Sequence, residues 1–479
     1  MLLECPLCRQ SVELPPAVAA AGCPACGGPL VARPPAAPPP GGADARTKAE
    51  PHVTRGLAAA RGGDYGRAVR EFAQALQLDP SSARVLTNRG FAYAACRDHG
   101  RAVADFDAAL RLDPAFAPAL NNRGLALVAL GEYARAVADF DRALALAPRM
   151  ALAYHNRGLA LAALGDHARA VADFDRALAL RGDLANAHHN RGFSHTALAS
   201  FHTALADYGA AIRLRPAAPV GWYNRGFVHA LLGDTGAAAR DYDEAVRLHP
   251  HFADALHLRG DLHRVRGRVA DAAADFTAVL RLRPSFVPAW VRRGECYFVR
   301  GDHRAAVADF AEAIRLAPDR ASPYKNRGVA LLALGDAAGA LADLSAAVRL
   351  DPAYADAYHH RGRARRALGE EERALGDFVE AIRLNPNAAD AYDSLAGWWS
   401  AAAAPAGESQ IAVELARRAC ALSDGEDWNC LRGLAAAHAA AGEHAAAVEW
   451  VTKALAAAPA AARPACAAER TRYLSAANP

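Results

Sequence analysis

A period of 34 residues runs through most of this chain. The glycines Gly56, Gly90, Gly124, Gly158, Gly192, Gly226, Gly260, Gly294, Gly328 and Gly362 are spaced 34 apart without a break. Twelve residues after each comes an alanine, from Ala68 to Ala374. Four further on comes an aromatic such as Phe72, Phe106, Phe140 or Tyr208, with Leu344 the exception. Eight beyond that lies a proline, Pro80 through Pro386, replaced once by Gly182. A unit this short buries too little surface to stand alone, so the copies must stack on one another in an array.

Within the copy at 151–184, Tyr154, Gly158 and Leu161, then Ala170, Phe174, Ala177 and Leu178, follow the 3.6-residue period of two amphipathic helices, A and B. Gly165 marks the turn between them. Small residues at Gly158 and Ala170 leave room for a close helix crossing, and the proline or glycine after helix B, here Gly182, stops it. This pattern of Gly, Ala, aromatic and Pro at a period of 34 resembles the tetratricopeptide repeat. The resemblance implies an all-α fold: a right-handed α-solenoid of about twelve helix hairpins. With the glycine as position 8, ten regular repeats occupy 47–388. A degenerate repeat with Ala396 at position 8 and an insertion of about five residues fills 389–427, a final repeat 428–461, and a capping tail 462–479.

Position 7, usually leucine in this family, is arginine in all ten regular repeats, Arg55 to Arg361. Position 23 is acidic in the same ten, Glu71 and then Asp105 to Asp377. Both columns end together, since the eleventh repeat has Leu395. An arginine on the stripe that meets neighbouring helices is costly unless paired. The columns therefore predict a structural ion pair between helices A and B of one repeat, such as Arg157 with Asp173. The alternative is a pair of surface charges, with Asp173 meeting Arg176 on its own helix.

Position 6 is asparagine at Asn88, Asn122, Asn156, Asn190, Asn224 and Asn326. A carboxamide carries a donor and an acceptor, so a ladder of them can pair with the backbone of an extended peptide. The column resembles the asparagine ladder in the repeat domain of O-linked N-acetylglucosamine transferases, which implies peptide-binding residues in a concave groove lined by A helices. The other reading is that the amides bond neighbouring helices. Position 9 changes character along the chain: Leu57, Phe91, Leu125, Leu159, Phe193 and Phe227, then Asp261, Glu295, Val329 and Arg363. Position 5 of the first seven repeats lacks the lysine of a chaperone-binding carboxylate clamp.

Nine cysteines is an odd number, and Cys5, Cys8, Cys23 and Cys26 crowd into two Cys-x2-Cys knuckles near the start. Fourteen residues separate the knuckles, a spacing that brings four thiolates around one zinc ion and resembles a zinc ribbon over 1–31. A redox role would need a surrounding βαβ fold that about 30 residues cannot supply. The Pro- and Gly-rich stretch 32–46 reads as a linker.

The remaining features narrow the function. Lys and Arg number 55 against 51 Asp and Glu, and the ribbon holds only Arg9 against Glu4 and Glu13, so a nucleic-acid partner is not expected. There is no secretory leader and no long apolar run, which sets the expectation of a cytoplasmic protein without a membrane partner. His188, His189, His195 and His202 cluster without a His-Glu-x-x-His pattern, and no catalytic motif is present. The expected role is a non-enzymatic scaffold or adaptor that binds a protein or peptide partner and carries one zinc. The alternative is a regulatory subunit or RNA-associated factor using the ribbon and the repeat surface.

Overall fold

In the computed structural model, residues 2–4, 11–13, 42–401, 409–423 and 427–477 are described, with side chains from 45 onward. Strands β1 (Leu2–Glu4) and β2 (Ser11–Glu13) pair antiparallel, with Leu3 opposite Val12. Everything else described is helix and turn. The molecule divides into two compact units, Met1–Pro250 and His251–Pro479.

In the first unit the A helices are α1 (Gly42–Arg61), α3 (Ala83–Ala95), α5 (Ala117–Ala129), α7 (Ala151–Ala163), α9 (Ala185–Ala197) and α11 (Pro219–Leu231). The B helices between them are α2 (Tyr65–Leu78), α4 (His99–Leu112), α6 (Tyr133–Leu146), α8 (His167–Leu180), α10 (Phe201–Leu214) and α12 (Thr235–Leu248). The second unit continues with A helices α13 (Ala253–Val265), α15 (Val287–Val299), α17 (Ala321–Ala333), α19 (Ala355–Ala367), α21 (Ala389–Ala401) and α23 (Trp428–Ala440). Its B helices are α14 (Val269–Leu282), α16 (His303–Leu316), α18 (Ala337–Leu350), α20 (Glu371–Leu384), α22 (Ser409–Leu422) and α24 (His444–Ala457). A last helix, α25 (Arg463–Ala477), packs on α24 and buries Cys466 and Tyr473.

One hairpin shows how the sequence makes the unit. After α7, Gly165 takes φ +83, which lets the Asp166 N–H return to the Leu161 carbonyl at 2.9 Å. Asp166 then caps α8 by accepting from the Arg169 N–H at 3.1 Å. At the crossing, a Cβ built on Gly158 would stand 2.8 Å from Phe174 Cε1, so glycine is what allows the ring to lie against the A-helix backbone. Ala160, Leu161, Ala170, Phe174 and Ala177 are buried around it. Arg97 and Ala199 hold the same left-handed turn position as Gly165, with φ 62 and 55.

Within each unit A helices of successive repeats also touch one another, as α5 does α7 and α17 does α19. No two B helices meet to the same extent among the described residues. The A helices are thus the inner row. One boundary needs correcting: α1 begins at Gly42, so 42–46 of the expected linker are helical. Gly-Ala-Asp-Ala-Arg follows the last proline of that stretch, so only its first residue disfavours a helix, and Arg46 Nε lies 3.6 Å from Asp79 Oδ2.

Candidate functional site: the A-helix face and the clamp behind it

The position 7 arginines and position 23 acids meet in every regular repeat. Arg157 Nε donates to Asp173 Oδ2 at 2.7 Å and Nη2 to Asp173 Oδ1 at 2.6 Å, a bidentate pair between α7 and α8. The same fork recurs from Arg89 with Asp105 to Arg361 with Asp377, while Arg55 makes one bond of 3.0 Å to Glu71. Asp173 is 5% exposed, so it depends on this partner. Its hydrogen bonds hold the Arg157 guanidinium above its ordinary pKa against the opposing effect of burial.

A third contact of these arginines was not anticipated. Arg157 Nη1 donates to Asp141 on the preceding B helix at 2.6 Å, and Arg123 and Arg191 do the same to Asp107 and Asp175 at 2.5 Å. Arg293 reaches Thr277 Oγ1 at 3.1 Å in the same way. Each such arginine therefore ties its own two helices to the repeat before it. Aspartates at position 25 of the second to fourth repeats were the available signal.

The asparagine column lies between neighbouring A helices. Asn88, Asn122 and Asn156 are buried, and Asn190, Asn224 and Asn326 are half-buried. Asn156 Nδ2 donates to Asn121 Oδ1 at 3.1 Å, and Asn121 Nδ2 to Asn122 Oδ1 at 3.2 Å. Asn224 Nδ2 lies 3.2 Å from His189 Nε2. In each inter-repeat bond, position 6 of one repeat meets position 5 of the repeat before. The Nδ2 atoms of Asn88 and Asn122 are buried with no partner. Positions 5, 6 and 9 share one helix face. On it Leu125, Phe193 and Phe227 are exposed, while Leu57, Phe91 and Leu159 are partly covered.

In the seventh and eighth repeats the same positions hold charges that neutralise each other. Asp261 Oδ2 is 3.5 Å from His257 Nε2, Asp261 Oδ1 is 3.2 Å from Arg292 Nε, and Arg292 Nη1 donates to Glu295 at 3.0 Å. Of the clustered histidines, His188 and His195 face Asp207 at 3.4 and 3.9 Å. Among the described residues no three His, Cys, Asp or Glu side chains gather as a metal-holding group. Cys5, Cys8, Cys23 and Cys26 lie outside the described residues. No described helix is long and apolar enough to cross a membrane.

Hairpins stacked through a repeated clamp, with A helices of successive repeats in contact within each unit, define an α-solenoid of the protein-interaction class. The family model for the tetratricopeptide repeat matches residues 53–115, 121–185, 183–251, 229–285, 257–321 and 325–392, and the chain belongs to that family. No curated protein matches it. Solved structures similar to it include the APC/C hetero-tetramer Cut9-Hcn1, at 15% identity over 89% of this chain and 96% of that one, with a TM-score of 0.48. Yeast Tom70 is similar at 16% identity, over 90% and 96% of the two chains, with a TM-score of 0.41. YrrB, described as a TPR protein with an unusual peptide-binding site, is similar at 24% identity over 40% of this chain and 99% of that one, with a TM-score of 0.36.

Proposed function

We propose that this chain is a non-enzymatic scaffold that holds an extended peptide or a partner helix against the A-helix face of its first six repeats. The observation that carries the reading is the unbroken run of apolar side chains at position 9, with Phe193, Phe227 and Leu125 open to solvent. The buried, unpartnered Nδ2 atoms of Asn88 and Asn122 add donors at the base of the same face. Co-purification from the native cell with mass spectrometry tests it, using the full chain, a Phe193→Ser/Phe227→Ser variant and a variant with Asn122, Asn156 and Asn190 changed to Ala. The wild-type chain should capture a protein that the phenylalanine variant loses while keeping its helical circular dichroism. The asparagine variant should capture less, with some fall in thermal midpoint because it removes both partners of the buried Asn121. A large fall in midpoint with capture intact assigns the amides to packing between repeats instead.

We also propose that Cys5, Cys8, Cys23 and Cys26 hold one zinc ion per chain as a separate small ribbon. Support comes from the four-thiolate donor set and from strands β1 and β2, which bracket the segment carrying Cys5 and Cys8. Freshly purified reduced protein should carry stoichiometric zinc, and Cys23→Ser should release it with helical content nearly unchanged. Protein without stoichiometric metal would refute the ribbon.

A further inference from the structure

The turns between helices A and B of the seventh and eighth repeats break two habits of the array. Position 16, the N-cap of helix B, is Asp, Glu or Ser in nine of the ten regular repeats but Arg268 in the seventh, where no side chain caps α14. In the eighth, Arg304 is the second residue of α16, at the end of a helix where a cation is least favoured. Positions 13 and 14 change as well: α13 ends on Val265 followed by Arg266, and α15 on Val299 followed by Arg300. Position 13 is alanine in the second to fifth, ninth and tenth repeats, position 14 is leucine in the third to sixth, ninth and tenth, and no other regular repeat carries Val-Arg there. The turn itself needs none of these residues, since Gly267 and Gly301 take φ +73 and +81 as Gly165 does. A helix C-terminus favours a basic residue, which accounts for Arg266 and Arg300 alone.

Both valines are left in water. Val265 is 68% and Val299 70% exposed, the highest among the large apolar side chains described. A single exposed valine is ordinary, but these two hold the same position on α13 and α15, adjacent A helices in contact. Around them Arg266, Arg268, Arg300 and Arg304 are exposed. The neighbouring acids are occupied: Asp271 accepts from Arg268 Nε at 2.8 Å, and Asp302 caps α16 by accepting from the Ala305 N–H at 3.1 Å. Arg300 and Arg304 form no ion pair among the described residues. The edge therefore joins aliphatic surface to unanswered positive charge, and one helix has given up its cap to it.

We propose that this edge docks an acidic amphipathic helix of a partner protein, two of whose aliphatic side chains, seven residues apart, meet Val265 and Val299 while carboxylates between them meet Arg266, Arg268, Arg300 and Arg304. Helices packed side by side lie about 8–10 Å apart, which sets the separation of the two valines. Residues seven apart on a helix share a face and are separated by about 10.5 Å. An extended segment places same-face residues about 6.7 or 13.4 Å apart and matches less well. Single-stranded nucleic acid calls for exposed rings on which bases stack. Here the Phe298 ring is half-buried and packs on His303 with centroids 4.9 Å apart, so the open apolar groups are aliphatic. The site uses none of the position 9 side chains of the first six repeats, and it goes beyond the reading given for them.

The test uses the full chain and four labelled probes. One is an eighteen-residue alanine-based helical peptide with two leucines seven apart and glutamates flanking them on the same face. Two are its counterparts with serine for leucine and with glutamine for glutamate, and the last is an oligouridylate of similar charge. Fluorescence anisotropy at low salt should show the first peptide binding on the order of tenfold more tightly than either counterpart. Val265→Ala with Val299→Ala, which restores the residue usual at position 13, should weaken it by a similar factor with helical circular dichroism unchanged. Arg268→Ser with Arg304→Ala should also weaken it by a similar factor, while the thermal midpoint holds or rises because α14 regains a capping residue. Arg349→Glu, an exposed change on helix α18, should leave binding unchanged. Equal binding of the three peptides, or full affinity in both double variants, overturns the proposal. Affinity lost through only one of the two pairs also overturns it, because a docked helix needs the charge and the apolar contact together. Tighter binding of the oligouridylate overturns it and assigns the edge to nucleic acid.

Discussion

The fourth and eleventh repeats build the same helix hairpin around opposite chemistry. In the fourth, Arg157 and Asp173 form the bidentate clamp, and Gly158 lies against the Phe174 ring. In the eleventh, the buried alanines Ala412, Ala416 and Ala419 align with Ala170, Phe174 and Ala177, which places Leu395 and Leu415 at the clamp positions. Those two leucines pack in one cluster with Phe378 and Trp399. Ala396 replaces the glycine where Ala416 replaces the ring. The twelfth repeat repeats the apolar solution with Leu434 and Trp450 in one cluster. The hairpin therefore tolerates an ion pair or an apolar pair, and glycine against a large side chain, a ring or Leu344, or alanine against a smaller one. Mixtures are what it should not tolerate.

The largest effect should come from mixing the clamp. Arg157→Leu alone strands a buried carboxylate and should cost about 3–5 kcal/mol, with Asp173→Leu costing a similar amount. The double change reproduces the Leu395 and Leu415 arrangement and should recover much of the loss. Hydrogen exchange of the α7 and α8 amides in the full chain reads these changes locally. A coupling no greater than about 0.5 kcal/mol in that cycle would mean the two charges act independently.

The glycine and ring pair should give a smaller effect. Gly158→Ala pushes a methyl into Phe174 and should destabilise by about 1–3 kcal/mol, because the ring is fully buried and must shift. Ala396→Gly, facing Ala416 instead of a ring, should cost only about 1 kcal/mol, the ordinary helix penalty of glycine. Equal costs measured by denaturant unfolding would break the comparison.

The smallest contrast is in pH dependence, and it concerns position 5. His155 in the fourth repeat is pushed down to about 4, by burial first and then by Arg181. Its unfolded value is about 6.5, so its neutral form favours the fold fully above that pH. That contribution is lost as pH falls from about 6.5 toward 4. Asp393 in the eleventh repeat is raised to about 6, by burial first and then by Asp390 and Asp427, against Arg366 and Arg432. Its contribution is fullest below its unfolded value and is lost as pH rises from about 4 toward 6. Each swing is on the order of 2 kcal/mol. His155→Asn should flatten the acid loss of stability around α7, and Asp393→Asn should remove the acid gain around α21. Hydrogen exchange at pH 7 and pH 4.5 checks both, and swings of the same sign at the two sites would contradict the assignment.

The 34-residue period, the two helices per copy, the glycine at the crossing and the arginine and acid columns were all legible in the sequence. Each is a local pattern copied in register, and a pattern repeated ten times survives any single exception. The eleventh repeat was only half legible: the loss of arginine was visible at Leu395, but Leu415 as its apolar counterpart was not, because the insertion obscured the register of helix B. Packing alone decided what depends on two repeats at once. Only the stacked helices show Arg157 reaching back to Asp141 and Asn156 bonding Asn121. Such contacts join residues from different copies, and the distance between them is set by how the hairpins stack, a quantity that periodicity within one copy does not contain.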